Sequence, residues 1–232
     1  MIDNKNTNFD SAKKFVEFGL KEKKSGNRES ASGLGSYIEN TQEASDFIFD
    51  IVKKYKIKSL LDLGCGDWNW FYLLIERIRK EEGGSGFRYI GWDAHPDLVS
   101  ELNAKFSDDN TSFHLSDIVT EEYPSVDLIL CRDVLFHMKP AVINNVLDKV
   151  YQSQANYLIT TTYDIPQNHS NETININNNI ENWYFHAINL DIAPYDLLKY
   201  KKALIEEKNC KHKEHNRYSV MYEISQGRNK GD

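Results

Sequence analysis

The chain has 232 residues, 40% of them hydrophobic, with three cysteines and a formal net charge of −7. That composition suits one globular domain with one substantial core, and no apolar run approaches the roughly 18–20 residues of a membrane span. The scattered Cys65, Cys131 and Cys210 exclude a disulfide framework. The polar start Met1-Ile2-Asp3-Asn4-Lys5-Asn6 lacks the apolar stretch of a secretory signal, so the expected setting is the reducing cytoplasm. The acidic balance argues against a nucleic-acid partner held mainly through phosphates, although a local basic patch would survive an acidic average.

Residues 1–40 are expected to form an N-terminal cap. It comprises a short helix over 12–23, with Phe15 and Val16 on its apolar side, and a Ser/Gly-rich loop over 25–36. The main domain is expected over 41–226, with 227–232 as a tail. A helix starts near Asn40, with Glu43 three residues on as a capping-box-like pair, and Phe47, Ile48, Ile51 and Val52 follow at helical spacing. Strands are expected at 59–63, 88–92, 112–115, 126–131 and 157–162. Helices alternate with them: one carries Phe71, Leu74, Ile75 and Ile78, one opens at Pro96 and one opens at Pro140. The almost wholly apolar run 126–131 suits a parallel strand buried on both faces, and the repeated alternation argues for a parallel sheet covered by helices on both sides. A long Asn-rich loop occupies 164–182, within a substrate-loop insertion expected over 163–196. Two last strands, 203–206 and 218–224, are joined by a charged turn.

The first strand runs into Asp62-Leu63-Gly64-Cys65-Gly66-Asp67. A glycine-rich turn at a strand's carboxyl end, opening into a helix, lets backbone approach a ligand at the switch point of the sheet. A nicotinamide-dinucleotide fingerprint needs a third glycine three residues after the second, where Asn69 stands, and the Gly-Lys-Ser/Thr ending of a phosphate loop is absent. What remains is Asp62-x-Gly64-x-Gly66. The second strand ends in Gly91-Trp92-Asp93, where an acid can accept hydrogen bonds from both ribose hydroxyls. Ser116-Asp117-Ile118 follows the third strand, and Cys131-Arg132-Asp133-Val134-Leu135-Phe136-His137 follows the fourth. Singly, the glycines fit an ordinary strand–turn–helix junction and the acids fit turns or caps. Together and in order, they mark a nucleotide site.

This ordered set resembles the motifs of class I S-adenosylmethionine-dependent methyltransferases. The resemblance implies an α/β fold: a three-layer Rossmann-like sandwich around a mainly parallel seven-stranded sheet, its last strands a hairpin, with the N-terminal helical cap outside it. It implies S-adenosyl-L-methionine as cofactor, held by Asp62, Gly64, Cys65, Gly66, Trp70, Asp93, Ala94, Asp117, Ile118 and Arg132, with Asp117 and Ile118 at the adenine. A tighter similarity, to a group of mostly uncharacterised bacterial methyltransferases, covers most of 30–224. It rests on Ser32-Gly33-Leu34-Gly35-Ser36 with Thr41, Asn69-Trp70, Phe136-His137, Thr160-Thr161-Thr162 and Asn189-Leu190 with Pro194-Tyr195. Two positions depart. Trp68 stands where the wider family often has a third glycine, and His186 stands where the closer group usually has arginine. The Asn/Asp-Pro-Pro-Tyr-like motif of enzymes acting on nucleobase or glutamine amides is replaced by Arg132-Asp133-Val134-Leu135, which disfavours that chemistry.

A methyl on a sulfonium is already activated, so the protein mainly aligns it, which is worth roughly 7–11 kcal/mol. A hydroxyl acceptor also wants a base, worth about 10²–10⁴-fold. Asp133 and His137, four residues apart, share a face if the segment turns helically, and they are the expected catalytic pair. The plainer alternative has Asp133 capping a helix and His137 packed on the sheet. Arg132 suits the cofactor's carboxylate, an acidic acceptor or a plain salt bridge. Tyr163, Trp183 and His186 are expected at the substrate, the aromatic run 183–186 suiting sugar faces and cations as well as core packing. Cys210, His212 and His215 lack a fourth ligand and a zinc-like spacing, so no metal is expected. The glycosylation-like pairs Asn168/Ser170 and Asn171/Thr173 carry no weight without a signal peptide. The expected function is O-methylation of a small molecule or glycan precursor. N-methylation of an amine or peptide, or a non-catalytic binding subunit on the same fold, are the alternatives.

Overall fold

The computed structural model describes residues 6–81, 86–169, 185–210 and 215–225. Seven strands form one sheet: β1 Ser59–Leu63, β2 Arg88–Asp93, β3 Thr111–Leu115, β4 Leu128–Cys131, β5 Tyr157–Tyr163, β6 Lys201–Glu206 and β7 Arg217–Glu223. Their order is β3-β2-β1-β4-β5-β7-β6. Neighbours run parallel from β3 to β5, whereas β7 lies antiparallel between β5 and β6. The α-helices among the described residues are α1 Asn6–Lys24, α2 Gln42–Tyr55, α3 Phe71–Glu81, α4 Pro96–Phe106 and α5 Pro140–Gln152.

Strand alternation sorts the apolar side chains into two cores. Leu60, Leu128 and Leu130 join the buried residues of α2, α3 and α4 on one face. Leu61, Leu63, Ile129 and Cys131 join α5 on the other. Both α4 and α5 open on a proline at the first turn, where its missing N–H removes no helical bond. The segment after β5 folds back onto the same sheet. The Leu190 N–H donates to Thr162 Oγ1 at 2.9 Å, and the Asn168 amide bonds to the carbonyls of Asn189 and Ala193 at 2.8 and 2.9 Å. No helix among the described residues is long and apolar enough to cross a membrane.

Several boundaries differ from the sequence expectation: β6 starts at Lys201 rather than 203, β2, β3, β5 and β7 shift by one residue, and three further differences concern α1, α2 and β4. The first helix begins at Asn6 rather than near residue 12. Residues 38–40 form a separate 3-10 turn, so α2 begins at Gln42 behind Thr41, and Asn40 and Glu43 cannot close a capping box. The Thr41 hydroxyl instead donates back to the Ile38 carbonyl at 3.0 Å. The fourth strand starts at Leu128, not 126. The Asp127 carboxylate accepts the N–H groups of Lys58 and Ser59 at 2.7 and 2.9 Å, and these side-chain bonds take the place of a ladder there.

Candidate active site

Over the carboxyl ends of the central strands lies a cavity of about 670 Å³. It sits where the strand order reverses at β1, the position at which open α/β sheets bind ligands. All ten residues expected at the cofactor (Asp62, Gly64, Cys65, Gly66, Trp70, Asp93, Ala94, Asp117, Ile118 and Arg132) line it, as do Asp133, His137 and Tyr163. Its roof comes from α1 and residues 28–36.

The glycine turn is shaped by its protein neighbours. Gly64 and Gly66 have φ of 78° and 59°. A Cβ on Gly64 would stand 2.6 Å from Val134 Cγ2, and one on Gly66 2.1 Å from Ser32 Oγ. Trp68 also adopts a left-handed φ of 54°, unusual for a bulky residue. Burial of its indole against Tyr89, Phe106 and Phe113 accounts for a tryptophan where glycine is easier. The Gly64 and Cys65 N–H groups both donate to the Trp92 carbonyl, at 2.8 and 2.9 Å, which joins the turn to the end of β2. Asp93 closes the same junction. One of its oxygens accepts the Gly66 N–H at 3.0 Å and the other the His95 N–H at 3.1 Å. Burial raises the Asp93 carboxyl above its usual range despite those bonds. Burial also pushes Asp62 up to about 7, opposed by the Tyr89 hydroxyl that donates to it at 2.8 Å.

On the β4 side, three buried charges and the half-buried Asp133 pair with one another. Arg132 donates to Glu207 through Nη2 at 2.6 Å and Nε at 3.4 Å, and to the Gly35 carbonyl at 3.0 Å. Arg217 Nη2 reaches both Asp133 at 2.7 Å and Glu207 at 2.9 Å, and Arg132 Nη1 stands 3.1 Å from Asp133. Thr161 and Ser219 hydroxyls donate to Asp133 and Glu207 at 2.9 and 2.5 Å. Burial works against both carboxylates, but the two guanidinium groups outweigh it and hold each below its usual range.

This geometry corrects two expectations. Asp133 has a φ of 62° and precedes a 3-10 turn of only Leu135–His137, so it and His137 do not share a helical face. A carboxylate held between two arginines is also a poor proton acceptor. Arg132, with donors directed to Glu207, Asp133 and Gly35, forms a buried salt bridge within the cavity wall. Glu207 and Arg217 went unnoticed in the sequence because their partners lie 75 and 84 residues away.

Beyond the charges the wall turns aromatic. Phe136 packs against His137, Phe185 and Tyr163 with ring centroids 4.4, 5.1 and 5.8 Å apart, and Phe15 of α1 reaches within 6.3 Å of the His137 ring. All five rings line the cavity. His186 does not. It is buried with its N–H on the Phe136 carbonyl at 3.1 Å, and burial drives its imidazole down to about 4. Phe185, one residue before it, lines the cavity instead. Trp183 lies outside the described residues, as do His212 and Asn171.

No protein-family model matches the sequence, and no curated protein matches it either. Solved structures do. An N-methyltransferase, NodS, from Bradyrhizobium japonicum WM9 in complex with S-adenosyl-L-homocysteine superposes with a TM-score of 0.59 at 11% identity over 91% of this chain and 98% of its own. Magnesium protoporphyrin IX methyltransferase from Synechocystis PCC 6803, with the same compound bound, gives 0.59 at 14% identity over 90% and 95%. The methyltransferase domain of a bacterial Hen1 protein gives 0.55 at 13% identity over 79% and 99%. At such identities the likeness carries architecture and not substrate. With its strand order and antiparallel β7, the chain has the fold of the class I methyltransferases.

Proposed function

We propose that the protein is an S-adenosylmethionine-dependent methyltransferase that methylates an oxygen of a small molecule or glycan precursor. The observation that carries this reading is a row of acids, Asp62, Asp93 and Asp117, along one cavity at the ends of β1, β2 and β3. The residues present fit the cofactor. Each Asp93 oxygen accepts a backbone N–H and keeps a lone pair for a ribose hydroxyl. Ile118 offers an apolar face beside Asp117 for the adenine, and the buried Asp62 carboxyl suits an ammonium. The structural neighbours crystallised with S-adenosyl-L-homocysteine support the same cofactor. When bound, S-adenosylmethionine supplies an activated methyl group on a sulfonium.

The chain's own work is to seat the acceptor, exclude water and take a proton. The rings of Phe15, Phe136, Tyr163 and Phe185 give the acceptor an apolar bed. His137, among those rings, is the proton acceptor for a hydroxyl. Asp133 holds the β4 end in place instead of sharing that proton. The reading also places the protein in the cytoplasm, a reducing setting that suits three free cysteines.

Calorimetry should detect S-adenosylhomocysteine binding, weakened at least tenfold by Asp93→Ala; a wild type that binds none overturns the reading. Once an acceptor is found, His137→Ala should lower turnover by about 10²–10⁴-fold with cofactor affinity nearly unchanged. Near-normal turnover in that variant would favour a neutral amine acceptor, which attacks without proton removal. Cofactor binding without transfer to any acceptor, together with a stable protein partner, would favour a binding subunit.

A further inference from the structure

Three arginines line the cavity: Arg28, Arg132 and Arg217. Arg132 and Arg217 are matched by Asp133 and Glu207, so the quartet carries no net charge. Arg28 differs. Its guanidinium carbon stands 5.0 Å over the Phe18 ring, and it has no acidic partner among the described residues. It is the uncompensated cation of the described cavity wall, and it sits in the roof.

Asn69 holds the segment at Glu29 and Ser36, and one carboxylate gathers its bonds around Arg28. Asp67, directly after the second glycine of the turn, accepts Lys23 Nζ at 2.7 Å, Ser30 Oγ at 2.7 Å and the Ala31 N–H at 2.8 Å, with Ser32 Oγ at 3.4 Å. Its own N–H donates to Ser32 Oγ at 3.1 Å. Every one of these partners lies between residues 23 and 32, so the Asp67 side chain fastens the roof and not the sheet. Contact is tight on both sides of the segment. A Cβ on Gly66 would meet Ser32 Oγ at 2.1 Å, and one on Gly19 of α1 would meet the Ala31 carbonyl oxygen at 1.9 Å.

We propose that Arg28 binds the carboxylate of the cofactor's amino-acid end, and that Asp67 is the positioning residue that seats it there. This rests on the cavity being the cofactor site. The order β3-β2-β1-β4 sets direction. With adenine at Asp117 beyond β3 and ribose at Asp93 beyond β2, the amino-acid end falls over the β1 turn, under residues 28–36. A carboxylate leaving water there needs charge-assisted donors, and a guanidinium supplies two in the geometry of a carboxylate. Arg132, the candidate from sequence, is committed elsewhere. The segment 28–36 is then a wall of the cofactor site.

The test compares two ligands by calorimetry. S-adenosylhomocysteine carries the amino-acid end; 5′-deoxy-5′-methylthioadenosine shares its adenosine and sulfur but lacks that end. Arg28→Gln should weaken S-adenosylhomocysteine roughly 10–100-fold, as expected for a lost hydrogen-bonded charge pair, and leave methylthioadenosine unchanged. Arg28→Lys should recover part of the loss. Asp67→Asn should show the same selective loss, with faster proteolysis within residues 25–29. If Asp67→Asn does not fold, Lys23→Met removes one of its donors and should show a weaker version. Unchanged S-adenosylhomocysteine affinity in Arg28→Gln, or an equal loss for both ligands, overturns the proposal. A wild type that binds neither ligand fails differently, because it removes the cofactor reading itself.

Discussion

Two pairs of acids flank the same cavity and are treated in opposite ways. Asp62 and Asp93, at the ends of β1 and β2, have hydroxyl and N–H partners but no ion-pair partner among the described residues, and burial raises both. Asp133 and Glu207, at the β4 and β6 side, are clamped by Arg132 and Arg217 and are held low. The first pair is under-neutralised and suits a ligand that brings hydroxyls and positive charge. The second is balanced in charge without a ligand. Binding capacity is therefore expected at the β1–β2 end, and rigidity at the β4–β7 end.

The largest expected effect comes from breaking the balanced pair. Glu207→Ala leaves two buried guanidinium groups facing a single carboxylate, and loss of one partner in such a network costs about 3–5 kcal/mol. Urea unfolding measures it. A loss below about 1 kcal/mol would mean that water reaches the quartet and that the contrast between the two ends is false.

The pH dependence sharpens the contrast, because the two pairs have opposite sign. Burial lifts Asp62 from 3.8 to about 7, so between those values the folded protein binds more protons than the unfolded chain, and stability falls as pH rises through that window. Asp62→Asn removes this slope. It should stabilise the ligand-free protein at pH 8 relative to pH 4 by on the order of 2–4 kcal/mol. Asp133 and Glu207 act the other way. Their contribution is present above the ordinary carboxylate range and is lost as pH falls below it, so acid unfolding should begin at the quartet. Thermal melts of wild type and Asp62→Asn across pH 4–8 test the Asp62 sign, and wild-type melts carried below pH 4 test that of the quartet; parallel curves across pH 4–8 would refute the Asp62 assignment.

The smallest effect is a control outside both regions. Asp108 pairs with Arg79 at 2.8 Å near the surface, and Asp108→Ala should cost less than about 1 kcal/mol, with no change in S-adenosylhomocysteine affinity. A larger loss would show that exposed pairs count for more here than solvent screening allows.

Much of the β1–β3 side was legible in the sequence. Each element there is local: an apolar run, a turn glycine or acid directly after it, then a helix with apolar residues at 3–4 spacing. Asp62, Gly64, Gly66, Asp93 and Asp117 needed only the order of strands to come together, and a βαβ unit dictates that order. By itself the sequence thus determined the α/β alternation, the glycine turn and the row of acids. Only the tertiary structure decided what the charges after β4 do. The partners of Arg132 and Asp133 arrive 75 and 84 residues later, on the hairpin that inserts β7 antiparallel beside β5, and no spacing in the chain announces them. The backbone likewise turned left-handed at Asp133, which parted it from His137. Packing buried His186 and brought Phe185 to the cavity instead. A strand's own pattern records which face it buries, but the identity of a buried charge's partner depends on which distant strand lies beside it.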